Sequence, residues 1–318
     1  MSFYHNEVGT FSLQRYLSRY LGGGCCLEES RRVTRQMLLL SECKFVDVSP
    51  YTLALNLQNN KYIKSVQHLQ KSQSIKSIQQ VNNILTDNSS GQIRVAESWV
   101  GPSKKKAIYL PPKPSKLASY LKKLESYLND SMDSSEVKAI NAACTFLQIH
   151  PFVDGNGRVA RALYESILHK EGESNISFFL YRFAIPQHRY IDFLQSVSIG
   201  DFNYHNNEFY FDGMSWIHGF KKEFDDVLRK YKSKVESKIF LCHLNEKDFR
   251  FLSFIWGNPI FDEFMLSLNG FESSSVKKFF NAGVVDFMTL DNKKSPIYIS
   301  KDVFDFWNAV DNIISQVE

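Results

Sequence analysis

Residues 150–161 read His150-Pro151-Phe152-Val153-Asp154-Gly155-Asn156-Gly157-Arg158-Val159-Ala160-Arg161. Ahead of them, Glu136 to Ile149 carries Val137, Ile140, Cys144 and Leu147 at helical spacing. The pattern predicts a helix ending near Ile149, a Gly-Asn-Gly loop, and a second helix over 158–170. Glycines let backbone N–H groups turn inward on a ligand, because no Cβ obstructs the approach. The helix that follows adds its free N–H groups and positive end, so the loop forms an anion cradle. Arg158 and Arg161, three residues apart, share a helix face as charge clamps. Asp154 supplies a hard oxygen donor suited to Mg²⁺. His150, with an ordinary pKa of about 6.5, is the side chain placed to accept a proton at neutral pH. Base, metal ligand, anion nest and two arginines within twelve residues describe phosphoryl or nucleotidyl transfer.

Working outward, Gly91 to Pro112 (GQIRVAESWVGPSKKKAIYLPP) holds two short extended runs around Gly101-Pro102-Ser103 and a lysine triplet, which predicts a hairpin over Arg94–Pro112. Leu117 to Leu128 predicts a short amphipathic helix, and Tyr181–Gly200 two helices around Pro186. Residues 1–90 read mostly as helix: Glu28 to Val48 with Val33, Met37, Leu40 and Val46 inward, a stop at Ser49-Pro50, then two surface helices over 56–90. From about 235 the pattern is helix (246–256), helix (259–268), helix (273–281), an extended pair around Asp291-Asn292 and a closing helix, an order that resembles a winged helix. Phe271, Phe279, Phe280, Phe304, Phe306 and Trp307 are its expected core. The expected division is 1–90, 91–234 and 235–318, in a mainly α fold.

The 318 residues are 43% hydrophobic and 23% charged, with a formal net charge of +4, values of an ordinary globular chain. That excess is too small to name nucleic acid or an acidic membrane as partner. No run approaches the roughly 18 apolar residues of a membrane span, and MSFYHNEVGTFSLQRY has no basic leader or apolar core of a signal peptide. Of the five cysteines, Cys25 and Cys26 are adjacent and Cys43, Cys144 and Cys242 stand apart. They fit neither a disulfide scaffold nor a zinc site, and the expected location is a reducing cytoplasm. His205, His218 and His243 have no metal-ligand spacing.

The string 150–161 resembles the signature of the Fic (Fido) family, H-P-F-x-[DE]-G-N-G-R-x-x-R, at every fixed position. The resemblance implies a Fic-type helical core with a β-hairpin flap, and transfer of AMP from Mg-ATP to a Tyr, Ser or Thr hydroxyl of a target protein, releasing pyrophosphate. By that likeness His150 is the general base, and Asp154 holds Mg²⁺. Gly155, Asn156 and Gly157 line the anion hole, while Arg158 takes the β-phosphate and Arg161 the γ-phosphate. Gly155 keeps the loop apart from that of the superfamily's toxin kinases, which departs from G-N-G. The hairpin resembles the family's flap, with Val100, Gly101, Pro102 and Ser103 nearest the nucleotide and the target docked by strand addition. The chain itself is a candidate target. Tyr190 falls where a residue would flank the adenine.

Many relatives carry an inhibitory helix, [ST]-x-x-x-E-[GN], whose Glu pairs with the second arginine of the signature. Here the helix 28–48 offers two degenerate registers: Asp47 followed by Val48, or Glu42 with Leu38 in the Ser/Thr place and Cys43 after the acid. In the C-terminal unit, seven Lys/Arg face eleven Asp/Glu from Leu241 onward, a net of −4 that ranks DNA below a protein partner or a second copy of the chain. Two alternatives stand beside transfer: removal of AMP (or use of another nucleotide), and a regulatory ATP- or DNA-binding module.

Overall fold

A computed structural model of the chain describes residues 39–40, 42–43, 50–86, 91–168, 178–179, 181, 185–288 and 296–315. Most of the expected helix 28–48, Asp47 included, lies outside them. The chain divides into two compact units, one of residues 58–219 and one joining 220–316 to the first 57 residues. Those divisions fall at 57/58 and 219/220, where the sequence suggested 90/91 and 234/235. Among the described residues, no helix is long and apolar enough to cross a membrane.

In the unit of 58–219 the elements are α1 (Pro50–Lys71, its first part outside this unit), α2 (Ile75–Thr86), α3 (Pro114–Asp130), α4 (Ser135–Ile149), α5 (Asn156–Leu168), α6 (Gln187–Gln195) and the first part of α7 (Glu208–Ile239). Pro50 opens α1 rather than only stopping what precedes it, since a first-turn proline has no N–H to lose. The centre is α4 packed on α5. Ala139, Ala142 and Ala143 on one, Ala160 and Ala162 on the other, are fully buried and keep both backbones close. Helix α4 starts at Ser134, whose hydroxyl accepts from the Val137 N–H, with Glu136 in its first turn.

Two expectations change here. Helix α2 is not a surface helix: Ile78, Val81 and Leu85 are buried, and it packs on α5. Its polar Gln/Asn face disguised that role. The hairpin reduces to a single antiparallel bridge, Val100↔Tyr109, around a 3-10 turn at Lys104–Lys106 capped by Ser103. Of the two helices expected around Pro186, the one after it is α6, and most of the stretch before it lies outside the described residues.

The second unit has its own aromatic core. Phe224, Trp256, Phe306 and Trp307 pack together, and the Trp307 indole donates to the Trp256 carbonyl at 2.8 Å. Its elements are α8 (Glu246–Gly257), β1 (Ile260–Asp262), α9 (Glu263–Leu268), α10 (Ser273–Asn281), β2 (Asp286–Met288), β3 (Ile297–Ile299) and α11 (Lys301–Ser315). The strands form an antiparallel sheet ordered β1-β3-β2, with Phe261 and Phe287 both opposite Tyr298. The expected helix 259–268 is shorter, because Ile260–Asp262 is a strand and Asp262 caps the helix that follows through the Met265 N–H. Phe280 is partly exposed against Phe287, whereas Phe271, Phe279, Phe306 and Trp307 are buried as expected. Cys43 is buried with its sulfur 3.8 Å from that of Met265, in this same unit.

Two glycines of α7 make opposite predictions. A Cβ at Gly213 would strike the Phe178 ring and come within 2.8 Å of Tyr181, while one at Gly219 meets nothing within 4 Å. Gly213→Ala is expected to cost about 1–3 kcal/mol by overpacking, and Gly219→Ala to gain up to about 1 kcal/mol from helix propensity. Denaturant unfolding of the two variants checks both signs.

Candidate active site

Helix α4 ends at His150, which takes the left-handed conformation (φ 48°) and donates its N–H to the Phe146 carbonyl at 3.0 Å. For a residue with a Cβ this conformation costs about 1–2 kcal/mol, so neighbouring contacts must hold it. The loop then folds back on α5. The Asn156 amide donates to the Phe152 carbonyl at 2.8 Å and accepts from the Phe152 N–H at 3.0 Å. Asn156 is buried, so its side chain is a loop brace rather than an anion-facing donor. Phe152 is buried against Phe146. Gly155 sits at φ +84°, where an added Cβ would lie 2.6 Å from Thr86 and 2.7 Å from Asn82. The Asn82 amide donates to the Asp154 carbonyl at 2.8 Å, so α2 supports the loop from behind.

One pocket gathers His150, Gly157, Arg161 and Tyr190 with Val100 and Tyr109 of the flap. Tyr190 and Arg161 are buried residues at its wall. Leu194 and Gln195 of α6 extend that wall. Gly101, Pro102 and Ser103 do not line it; Gly101 and Pro102 are exposed, and Ser103 caps the 3-10 turn instead. Arg158 lies outside the lining. It donates to the Leu85 carbonyl at 2.6 Å and pairs with Asp154 at 2.8 Å. Glu42 is a partly exposed turn residue, in the unit that also holds Cys43.

Burial dominates the electrostatics. Desolvation pushes the His150 pKa down to about 4; the Leu147 backbone and Asp154 pull it up and Arg94 pulls it down. The imidazole is therefore neutral, with a free lone pair, at pH 7. Behind Arg161, desolvation raises the Glu165 carboxyl to about 7, with Tyr62 and Arg161 opposing it.

The donor set fits a magnesium–nucleotide complex. Mg²⁺ is usually held by one or two carboxylates plus substrate phosphates. Asp154 is such a carboxylate, 74% exposed at the cradle's edge. Among the described residues no three His, Cys, Asp or Glu cluster into an all-protein metal site. Asp154 would hold the ion, and the glycine cradle and arginines would hold the phosphates.

Several contributors were not visible as such in the sequence. Gln148 is buried and donates to the carbonyls of Leu194 and Val197, while its own carbonyl accepts the Tyr109 hydroxyl at 2.6 Å. It thus joins α4 to α6 and to the flap. Arg94, expected only to begin the hairpin, is 4% exposed and turned toward His150. Asn82 had no distinguishing signal within a Gln/Asn-rich helix.

Residues 72–168 match the model of the Fic/DOC family. The matched segment, under a third of the chain, runs through α2, the flap and α3 to α5. It is 32% identical over 118 residues to the protein adenylyltransferases Fic of Drosophila virilis and Drosophila melanogaster, an alignment covering 35% of this chain and 21% of each relative. The chain thus spans about a fifth of the length of those curated relatives. Among solved structures it is similar to a Fic domain containing signaling protein from Bacteroides thetaiotaomicron (TM-score 0.45, 16% identity, 65% of this chain and 79% of that one). It is also similar to a Fic family protein from Desulfovibrio desulfuricans (TM-score 0.49, 12% identity, 90% and 87%).

The depressed His150 pKa has a consequence for stability. The unfolded chain takes up a proton near pH 6.5 and the native chain only near 4, so native stability is lost as pH falls between those values. At pH 5.5 the loss attributable to this residue is about 1 kcal/mol. Unfolding free energies of wild type and His150→Asn, compared at pH 7.5 and 5.5, are expected to converge by that amount at the lower pH; an unchanged difference would contradict the shift.

Proposed function

We propose that the chain is a protein adenylyltransferase that moves AMP from Mg-ATP to a hydroxyl side chain of a target protein. The observation that carries this reading is the neutral His150 facing one pocket with Gly157, Arg161 and Tyr190. In the reaction, His150 takes the proton from the target hydroxyl. The hydroxyl oxygen bonds to the α-phosphorus, the bond from that phosphorus to the α,β-bridging oxygen breaks, and pyrophosphate leaves. Such a base contributes about 10²–10⁴-fold. The Gly157 segment at the start of α5, with Arg161 and Arg158, orients and neutralises the phosphates before the chemical step. When bound at Asp154, Mg²⁺ supplies further neutralisation of phosphate charge. Tyr190 and the α6 wall take the adenine.

The flap is the proposed seat of the target. Val95, Trp99, Ile108 and Leu110 expose apolar surface there, and Val153 does so on the signature loop. An acidic brake by Glu42 or Asp47 belongs to the same proposal: replacing the operative acid by Gly is expected to raise transfer. The three described cysteines are free, as a reducing cytoplasm would keep them.

Intact-mass spectrometry after incubation with Mg-ATP tests the reading. One AMP added to the chain or to an added target, and absent with His150→Ala, is expected. Transfer undiminished in His150→Ala would overturn the role of the base.

A further inference from the structure

Arg94 is a buried cation with an unusual set of partners. Its Nε donates to the His150 carbonyl at 2.8 Å, and its two terminal nitrogens donate to the carbonyls of Ala96 at 3.0 Å and Pro112 at 2.5 Å. Its backbone N–H donates to the next carbonyl of the signature loop, Pro151, at 2.9 Å. Burying a guanidinium costs several kcal/mol unless its donors are satisfied. Here each of the three guanidinium nitrogens has a backbone carbonyl as acceptor, and among the described residues no carboxylate pairs with the charge.

These partners occupy three places. Ala96 and Pro112 stand at the two ends of the flap, and His150 is the left-handed residue at the end of α4. The remaining tethers reach the flap away from His150: the Tyr109 hydroxyl goes to Gln148, and the Gln195 amide goes to Ile108 at 3.1 Å. Arg94 alone among the described contacts joins both flap ends to the backbone of His150. Its planar fork can hold three carbonyls at fixed angles, which the single ammonium of a lysine cannot reproduce.

We propose that Arg94 is a positioning residue that locks the flap and His150 into one unit, so that a target segment docked on the flap is delivered in register with the base. This rests on His150 acting as the base in the proposed reaction. Two charged groups act on the His150 ring from its surroundings, Arg94 from the flap and Asp154 from the loop, in opposite directions. Removing the Arg94 charge therefore also makes the base easier to protonate.

Arg94→Lys and Arg94→Gln, with Tyr109→Phe as a comparison that removes another flap tether without removing a charge, test the proposal by three measurements. In Arg94→Lys, kcat for AMP transfer is expected to fall about 10²-fold, the scale of a misplaced reacting group, with KM for ATP changed less than about threefold. Hydrogen exchange at the Val100 and Ile108 amides is expected to quicken in both Arg94 variants. In Arg94→Gln, the His150 ring, followed by NMR, is expected to titrate at higher pH, a shift that Tyr109→Phe lacks. The proposal is overturned if KM for ATP rises as much as kcat falls, if flap exchange and the His150 titration stay at wild-type values, or if Arg94→Lys does not fold and so marks the residue as core. Exchange and titration changing as expected in a chain that transfers no AMP would leave this proposal standing and reject the adenylyltransferase reading instead.

Discussion

The reciprocal hydrogen bonds between the Asn156 side chain and the Phe152 backbone are the constraint on which the site depends. They turn the chain from the end of α4 into the start of α5 within six residues and engage both ends of the buried Asn156 amide within the loop. Because α4 and α5 are locked together by small buried side chains, the turn cannot relax by moving either helix. Gly155 then has to pass the Thr86 and Asn82 side chains without a Cβ. The shape of the loop is thus a packing property. In the proposed reaction a loop built this way would need little reorganisation on binding phosphate, which is the condition for electrostatic stabilisation of a transition state.

Around this turn, charge is handled by burial. The His150 ring is desolvated and stays neutral at pH 7, the form that the proposed role of base requires, and the same burial makes it harder to protonate in acid. Arg161 is buried at the pocket wall, and Arg158 is held between the Leu85 carbonyl and the exposed Asp154. The carboxylate suited to a metal is thus also the one that holds an arginine of the cradle. The Gln148 side chain fastens the end of α4 to the Leu194 and Val197 carbonyls, its backbone carbonyl accepts the Tyr109 hydroxyl of the flap, and Arg94 ties the flap to the His150 carbonyl. The flap and α6 are thus both tied to one helix terminus.

How much of this was legible depended on the kind of interaction. The signature was legible because glycine, asparagine, arginine and histidine at fixed local spacing have few other uses, and the α4–loop–α5 arrangement followed from helical periodicity on both sides. Roles that act across long stretches of sequence were not. Asn82 lies 72 residues from the carbonyl it supports, and Arg94 lies 56 from His150. A polar residue on a polar helix carries no local mark of its distant partner. The flap was drawn as a hairpin from two extended runs around Gly101-Pro102-Ser103, yet Arg94 is drawn into the loop and the ladder shrinks to one bridge. In the second unit an apolar run read as helix begins as strand β1, because Asp262 caps the next helix and its predecessors find β3.

The most direct test of the central claim follows the phosphorus atoms. The protein is incubated with ATP labelled either at the α- or at the γ-phosphate, and label retained on protein is measured with pyrophosphate release. A site that holds the terminal phosphates in the cradle and presents the α-phosphorus to His150 predicts protein label from the α position alone, matched by pyrophosphate. Label from the γ position, or none from either with ATP bound, would contradict it.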